Sequence, residues 1–321
     1  MSDAVLLGID LGGTSTKFGI GDGDGNVAHH WSMPTKHELG PDSVLDRIIR
    51  TIDTAIIERG LDQPTAIGIG VPGLVDLATG QAKFLPNFAT QWRDVPVVER
   101  LTNHFRCEVA MLNDARAATL GELKFGRGKD IPNVTMAVLT IGTGIGGGVA
   151  IDGELRLGTT GGAGEIGHQT IVPDGPLCGC GNRGCLEALA SGTAIVAMGA
   201  RLISSKQAPW LASQVSSDQP LTPELIASAV QHDPGVEEGI RQIGTYLGIG
   251  VANVVTILHP DLVVIAGGVS RMGETLLEPI RREVKERVRM FPTSDLQVMN
   301  SSLGSAPGVQ GALALAASSL Q

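Results

Sequence analysis

The stretch Ala4-Val-Leu-Leu-Gly-Ile-Asp10-Leu-Gly-Gly-Thr14-Ser-Thr-Lys17-Phe-Gly-Ile-Gly21 decides the fold class. It reads as an apolar strand to Asp10, a break at Gly12-Gly13-Thr14, and a second strand over Thr16 to Gly21. Asp22-Gly-Asp-Gly-Asn26 then turns the chain into a third strand at about Val27. That turn resembles the opening of a calcium loop. Val27 stands where such a loop needs glycine, however, and no Glu closes it, so a hairpin turn is the better reading.

The pattern restarts later in the chain. Val134 to Ile141 is an apolar run, Gly142-Thr143-Gly144 a glycine turn, and Ile145 to Ile151 a second strand. Two copies of strand, glycine turn and strand predict two similarly folded α/β domains whose turns face a common cleft, an arrangement that favours ligand binding. Between and beyond them the periodicity predicts helices at about 44–60, 95–105, 115–123 and 236–258, and strands over 66–71, 108–113 and 262–266. Thr222-Pro223 marks a helix start, and 204–221 reads as a surface loop. Gly308 to Leu320 reads as a short alanine-rich helix.

Composition narrows the function. The 321 residues are 42% hydrophobic and 18% charged, the pattern of a soluble globular chain with ample core. A formal net charge of −9 argues against nucleic acid as a partner, because phosphate-backbone binding needs a basic face. No apolar stretch reads as a membrane span, and Met-Ser-Asp-Ala leads straight into a strand with no room for a signal peptide. A cytoplasmic location is expected.

Three of the four cysteines cluster as Cys178-Gly-Cys180-Gly-Asn-Arg-Gly-Cys185, and His168 lies a short loop upstream in Glu165-Ile-Gly-His168. Three thiolates and an imidazole at this spacing suit a closed, tetrahedral structural zinc site with no open position for a catalytic water. Cys107, far away, reads as a small buried residue.

The remaining motifs are weaker alone. Asp10 with Gly12, Gly13 and Thr14 is sufficiently explained as a turn, or else as a phosphate clamp in which Asp10 orients hydrated Mg²⁺. Recurrence at Gly142-Thr143-Gly144 favours the clamp, since two such turns can grip a polyphosphate. No Gly-Lys-Ser/Thr ending makes either a P-loop. The dinucleotide-like Gly142 to Gly147 run is followed by a strand rather than a helix, and Gly68-Ile-Gly-Val-Pro-Gly73 contains a proline, so neither supports a Rossmann oxidoreductase. Asn113-Asp114 closes a buried strand before a helix. Asp114 is there either the helix N-cap or a general base.

Taken together, Asp10-Leu-Gly-Gly-Thr14, Asn113-Asp114, Gly142 to Gly147, Glu165-Ile-Gly-His168, Cys178-x-Cys180-Gly-x-x-Gly-Cys185-x-Glu187 and Ile265-Ala-Gly-Gly268 resemble the ROK sugar kinases of the hexokinase–actin–Hsp70 superfamily. The resemblance covers essentially the whole chain. It implies two actin-like (ribonuclease H-like) domains, each a mixed sheet flanked by helices, with an interdomain cleft and a zinc knuckle. The smaller domain would comprise 1–114 plus 308–321 and the larger 115–307.

The same resemblance implies an ATP- and Mg²⁺-dependent hexose kinase, with glucose the expected substrate. Asp114 would take the proton of the sugar 6-hydroxyl. Asn113, Glu165, His168 and Glu187 would hold the other hydroxyls, with Asn87 and the Gly73 loop completing the pocket. Gly12, Gly13, Thr14, Lys17, Thr143 and Gly144 would hold phosphates, Asp10 the Mg²⁺, and Gly267-Gly268 would lie near the adenosine. His168, Cys178, Cys180 and Cys185 would ligate structural Zn²⁺. A homodimer or higher oligomer is expected, with no nucleic-acid or membrane partner. Other hexoses, N-acetylglucosamine or N-acetylmannosamine, or polyphosphate as donor, are alternatives. A sugar-sensing repressor is disfavoured, because no DNA-binding module precedes the first glycine motif.

Overall fold

The computed structural model describes residues 5–85, 88–304 and 307–320. In chain order its first elements are β1 (Leu6–Leu11), β2 (Ser15–Gly21), β3 (Val27–Pro34), α1 (Pro41–Arg59), β4 (Ala66–Val71), β5 (Leu74–Asp76), β6 (Gln81–Phe84), β7 (Arg93–Val95), α2 (Val97–Phe105), β8 (Glu108–Asn113) and α3 (Asp114–Lys124). Then come β9 (Met136–Ile141), β10 (Ile145–Ile151), β11 (Glu154–Arg156), α4 (Leu186–Ala190), α5 (Gly192–Ser204), α6 (Pro209–Gln214), α7 (Pro223–Ala229) and α8 (Pro234–Leu258). The chain ends with β12 (Leu262–Ala266), α9 (Glu274–Arg287), β13 (Gln297–Asn300) and α10 (Pro307–Ser318).

Two compact units result. The first takes 1–133, 148–164 and 302–321, and the second takes 134–147 and 165–301.

In the first unit a five-stranded sheet runs in the order β3-β2-β1-β4-β8. β1, β4 and β8 are parallel, with Leu6 beside Ala66 and Ala66 beside Glu108, while β2 and β3 fold back antiparallel. Parallel strands buried on both faces read as unbroken apolar runs, and every residue of β4 is buried. α1 lays Val44, Leu45, Ile48, Ile52 and Ile56 on the sheet, where they join Ile9, Phe18, Ile67 and Ile69.

The other face of that sheet carries α10. Val309, Leu313 and Ala316 pack with Leu6 and Ala66. Small residues let its backbone approach closely: a Cβ at Gly311 would overlap the Ala117 carbonyl of α3. β5, β6 and β7 make a separate small sheet in that order.

The second five-stranded sheet has the order β11-β10-β9-β12-β13. β9, β12 and β13 are parallel, with Leu262 beside both Met136 and Gln297. The 25-residue α8 is the spine of the second unit. It buries Ile240, Ile243, Leu247 and Val251 in a core shared with Ile265, Leu276 and Ile280.

The segment read as a surface loop, 204–221, contains α6. Its opening N–H groups at Trp210 and Leu211 are accepted by the buried Asp233 carboxylate, at 3.1 and 2.8 Å. That partner lies too far along the chain for local sequence to reveal it.

Gly311→Ala is expected to cost about 2–3 kcal/mol of unfolding free energy in urea, through forced separation of α10 from α3. Gly23→Ala, where a Cβ meets nothing within 4 Å, should stay within about 0.5 kcal/mol of the parent.

Candidate active site

In each sheet the sequence-flagged turns follow the carboxyl ends of parallel strands, where α/β ligand sites form. In the first unit β1 leads into Gly12-Gly13-Thr14, β4 into Pro72-Gly73, and β8 into Asn113-Asp114. In the second, β9 leads into Gly142-Thr143-Gly144 and β12 into Gly267-Gly268.

The first glycine turn is closed by Gly12 N–H donating to the Ser15 carbonyl at 3.2 Å. Thr35 braces it from β3's end: its hydroxyl donates to the Gly12 carbonyl at 2.6 Å and its N–H to the Thr14 carbonyl at 3.0 Å. Gly13 and Thr14 are exposed at the tip. Such a braced tip keeps its outward groups in place for a ligand.

Asp10 stands opposite Lys17 in the β1–β2 register. Its carboxylate also abuts the first turn of α10, where a Cβ on Gly308 would come within 2.5 Å of Asp10 Cγ. Burial first, and then the Asp114 charge, push the Asp10 carboxyl up to about 6 against the opposing pull of Lys17. An ionised Asp10 is therefore held against the preference of its surroundings, as befits a carboxylate awaiting a cation.

At the end of β8 the structure separates two roles that the sequence left joined. Asn113, not Asp114, is the N-cap of α3: its Oδ1 accepts from the N–H groups of Ala115 at 3.0 Å and Arg116 at 3.4 Å. Asn113 Nδ2 donates to the Gly73 carbonyl at 3.0 Å, joining the ends of β4 and β8. Asp114 is the first helical residue, its Oδ1 accepting from Ala115 N–H at 2.8 Å. The capping explanation for Asp114 is thereby removed. Asn87 lies outside the described residues.

The second unit holds the cysteine cluster. Ligand atoms of His168, Cys178, Cys180 and Cys185 all lie within 4.8 Å of one another. A tetrahedron of Zn–S bonds of about 2.3 Å has S–S edges of about 3.8 Å, and an S–N edge slightly shorter. Cys180 and Cys185 sulfurs are 3.7 Å apart, and Cys178 Sγ is 3.7 Å from His168 Nδ1. The donor set and spacing thus fit a tetrahedral, thiolate-binding ion.

Burial pushes the Cys178 thiol up to about 12, while the Asn182 N–H draws the Cys180 thiol down. A metal entering here must displace protons.

The knuckle is tied into the unit on three sides. Gly167 of the Glu-Ile-Gly-His motif passes so close to β10 that a Cβ would overlap the Ile145 carbonyl. Gln169 donates to the Gly250 carbonyl of α8 at 3.2 Å and accepts from Asn253 at 2.9 Å. Glu187 Oε2 accepts from Ile145 N–H at 2.9 Å, and its Oε1 is 3.6 Å from Cys178 Sγ. Glu187 therefore links the knuckle to the second glycine turn. His168 Nε2, the nitrogen not turned to Cys178, is 3.8 Å from Glu165 Oε2.

That second turn is braced by the start of α5. Gly192 N–H donates to the Gly142 carbonyl at 2.8 Å and Thr193 Oγ1 to the Thr143 carbonyl at 2.9 Å. Beside it lies a cavity of about 370 Å³ lined by Thr143, Thr193, Val196, Pro223, Glu224 and Gly268, among others. Thr193, Val196 and Glu224 were not flagged by the sequence, and Pro223 only as part of a helix start, because no motif marks them as a site. Their helix starts, Ser191 and Thr222-Pro223, were the available signal. Among the described residues, no helix is long and apolar enough to cross a membrane.

The sequence model of the ROK family matches residues 6–319. The chain is 36% identical to a glucokinase of Thermotoga maritima over 313 residues, covering 97% of this chain and 96% of that one. It is 32% identical over 321 residues to a putative xylose repressor of a Caldicellulosiruptor species, covering 98% of this chain and 79% of the other. The crystal structure of a ROK family glucokinase from Streptomyces griseus, in complex with glucose and AMPPNP, superposes with a TM-score of 0.85 at 32% identity. It covers 98% of this chain and 99% of that one.

Replacing Asp10 by Asn should stabilise the apo protein near pH 7.5. The raised carboxyl favours the folded state only while protonated, so its contribution is complete below about pH 4 and lost as pH climbs through about 6. The difference in urea stability between Asn and Asp forms should be near zero at pH 4. By pH 7.5 it should grow toward an upper bound of about 3 kcal/mol, discounted for partial solvent contact. A pH-independent difference would contradict the burial argument.

Proposed function

The chain belongs to the ROK family and is a sugar kinase, and from that premise we propose that it transfers the γ-phosphoryl group of ATP to the 6-hydroxyl of glucose. The observation that carries the proposal is the division of labour at the start of α3. Asn113 is the N-cap, so capping does not account for Asp114, whose carboxylate stands on the first helical residue at the carboxyl end of β8, where a general base would act. The choice of glucose is supported by likeness to proteins named glucokinase, one of them bound to glucose.

In the proposed step the 6-hydroxyl oxygen of the sugar attacks the γ-phosphorus and its proton passes to Asp114. The bond from the γ-phosphorus to the β,γ-bridging oxygen breaks, and ADP leaves with the electron pair. Phosphoryl transfer asks mainly for positioning and for donors to spread charge. Asn113, Glu165, His168 Nε2 and Glu187, with Gly73 and Asn87, hold the remaining sugar hydroxyls and so set which one is presented. The exposed Thr14 and Thr143 tips, with Gly12, Gly13, Gly144 and Lys17, hold phosphate oxygens. Asp10 would hold Mg²⁺, which when bound would supply charge neutralisation for the phosphates.

ATP fits the donor role better than inorganic polyphosphate. The cavity beside Thr143 offers the apolar surfaces of Val196, Pro223 and Val269 to a base, and the Glu224 carboxylate as an acceptor for a ribose diol. Polyphosphate has neither an apolar face nor hydroxyl donors to use there. Gly268 borders the same space, with Gly267 next to it in the chain.

Three thiolates and one imidazole nitrogen, with tetrahedral edges, suit zinc above the harder divalent ions. His168, Cys178, Cys180 and Cys185 would hold the ion, and its bonds would fix His168 and the knuckle in a single frame. Glu187, bonded to Ile145 N–H and beside Cys178, carries that rigidity to the second glycine turn.

Asp114→Asn should lower kcat about a thousandfold while glucose affinity changes less than about threefold. Turnover within tenfold of the parent removes Asp114 as the base. A parent protein that binds glucose yet never phosphorylates it would be a sensor instead. Cys180→Ser should lose its zinc on dialysis, melt at a lower temperature and bind glucose more weakly. Full zinc retention would contradict the ligand set.

A further inference from the structure

Arg116 lies in α3 of the first unit with a relative exposure of 1%, two residues beyond Asp114, and the roles above leave it unused. We infer that Arg116 is a positioning residue for sugar recognition: its guanidinium engages the Asn113 carbonyl and leaves Asn113 as a polarised, donor-only contact for one sugar hydroxyl. The inference rests on the reading of Asn113 as a sugar contact.

The hydrogen-bond inventory leads to it. A side-chain amide has two lone pairs on oxygen and two N–H donors. Asn113 Oδ1 accepts from Ala115 N–H, from Arg116 N–H and from Arg116 Nη1 at 3.0 Å. Its acceptor capacity is filled from within the protein. One Nδ2 hydrogen goes to the Gly73 carbonyl, which leaves the second to meet a ligand. The orientation of the amide is fixed by these bonds, with oxygen toward α3 and nitrogen toward Gly73.

Local geometry explains how the arginine reaches back. Helical side chains lean toward the N-terminus, so a residue three positions after the cap overlies it. A cap does not require such a cation, however. Ser191 and Thr222 cap α5 and α7 with a hydroxyl alone, accepting from Ala194 and Leu225 N–H. Burying a guanidinium costs far more than a cap contributes. The Arg116 N–H bond to Asn113 is long at 3.4 Å, while the Nη1 bond is 3.0 Å. The carbonyl thus serves the guanidinium as much as the helix.

The chemical consequence is directional. A carbonyl that accepts from a cation withdraws density from its own amide nitrogen and strengthens the N–H donor. A hydroxyl that receives that N–H keeps its own proton to give to a carboxylate. Asn113 therefore selects for a hydroxyl that accepts on one side and donates on the other, which a deoxy position cannot imitate.

The test compares the parent with Arg116→Met, Asn113→Ala and the double variant, by glucose calorimetry, steady-state kinetics and melting. Arg116→Met should raise the glucose Kd about tenfold with kcat within about threefold. On the Asn113→Ala background the same change should add less than about twofold, because its route to the sugar is already gone. Arg116→Lys, which keeps the charge and should fold even if the Met variant does not, should raise Kd in the same direction by about threefold. Unchanged glucose affinity in a folded Met or Lys variant, even with lowered melting, overturns the inference and leaves a structural arginine. Full multiplication of the two effects in the double variant also overturns it. A parent protein that binds no hexose would overturn the sugar-site reading and this inference with it, so the two failures are distinguishable.

Discussion

The arrangement of the first unit depends on one side chain's hydrogen bonds. Asn113 ends β8, caps α3 through Oδ1 and ties itself to Gly73 at the end of β4 through Nδ2. A helix start leaves several N–H groups without partners, and either Asn113 or Asp114 could have served them. Because the amide serves as the N-cap, the carboxylate next to it takes the first helical position, where it accepts from Ala115 N–H. The sheet then supports that choice from behind. α10, pressed onto β1 and α3 through Gly308 and Gly311, lies against Asp10 and keeps that carboxylate in desolvated ground.

The second unit solves a different problem with similar economy. A glycine-rich loop such as 165–185 has little hydrophobic surface with which to hold a shape. Here the shape is held by convergence of four metal-binding atoms, by Gly167 lying on β10, and by Gln169 on α8. Glu187 then passes position from the knuckle to Ile145, immediately after the second glycine turn. In the proposed function this places recognition of the sugar and of the phosphates on connected ground. Such a connection is what an enzyme requires if it is to align two substrates rather than merely bind them.

Much of this was legible in the residues alone, for reasons that can be named. β4 and β12 coincide with the apolar runs 66–71 and 262–266, because buried parallel strands lack polar interruptions and end at Gly or Pro. The cysteines were legible because their spacing has few other uses. What escaped were effects carried by distant partners. α6 depends on Asp233, and the pocket residues Thr193 and Glu224 come from two helix starts that no motif connects. The choice between Asn113 and Asp114 as cap escaped as well, since both are good caps by type. Arg116 left a faint trace only, as a cation inside the alanine-rich first turns of α3.

The account stands on a single transformation, and the product reports it directly. The purified protein with zinc, Mg²⁺, ATP and glucose should yield glucose 6-phosphate and ADP in equal amounts, identified by phosphorus–proton NMR coupling to the C6 protons. Phosphate on another hydroxyl would contradict the assigned sugar orientation. ATP hydrolysis without any phosphorylated sugar, across a panel of hexoses and with polyphosphate also tried as donor, would contradict the account as a whole.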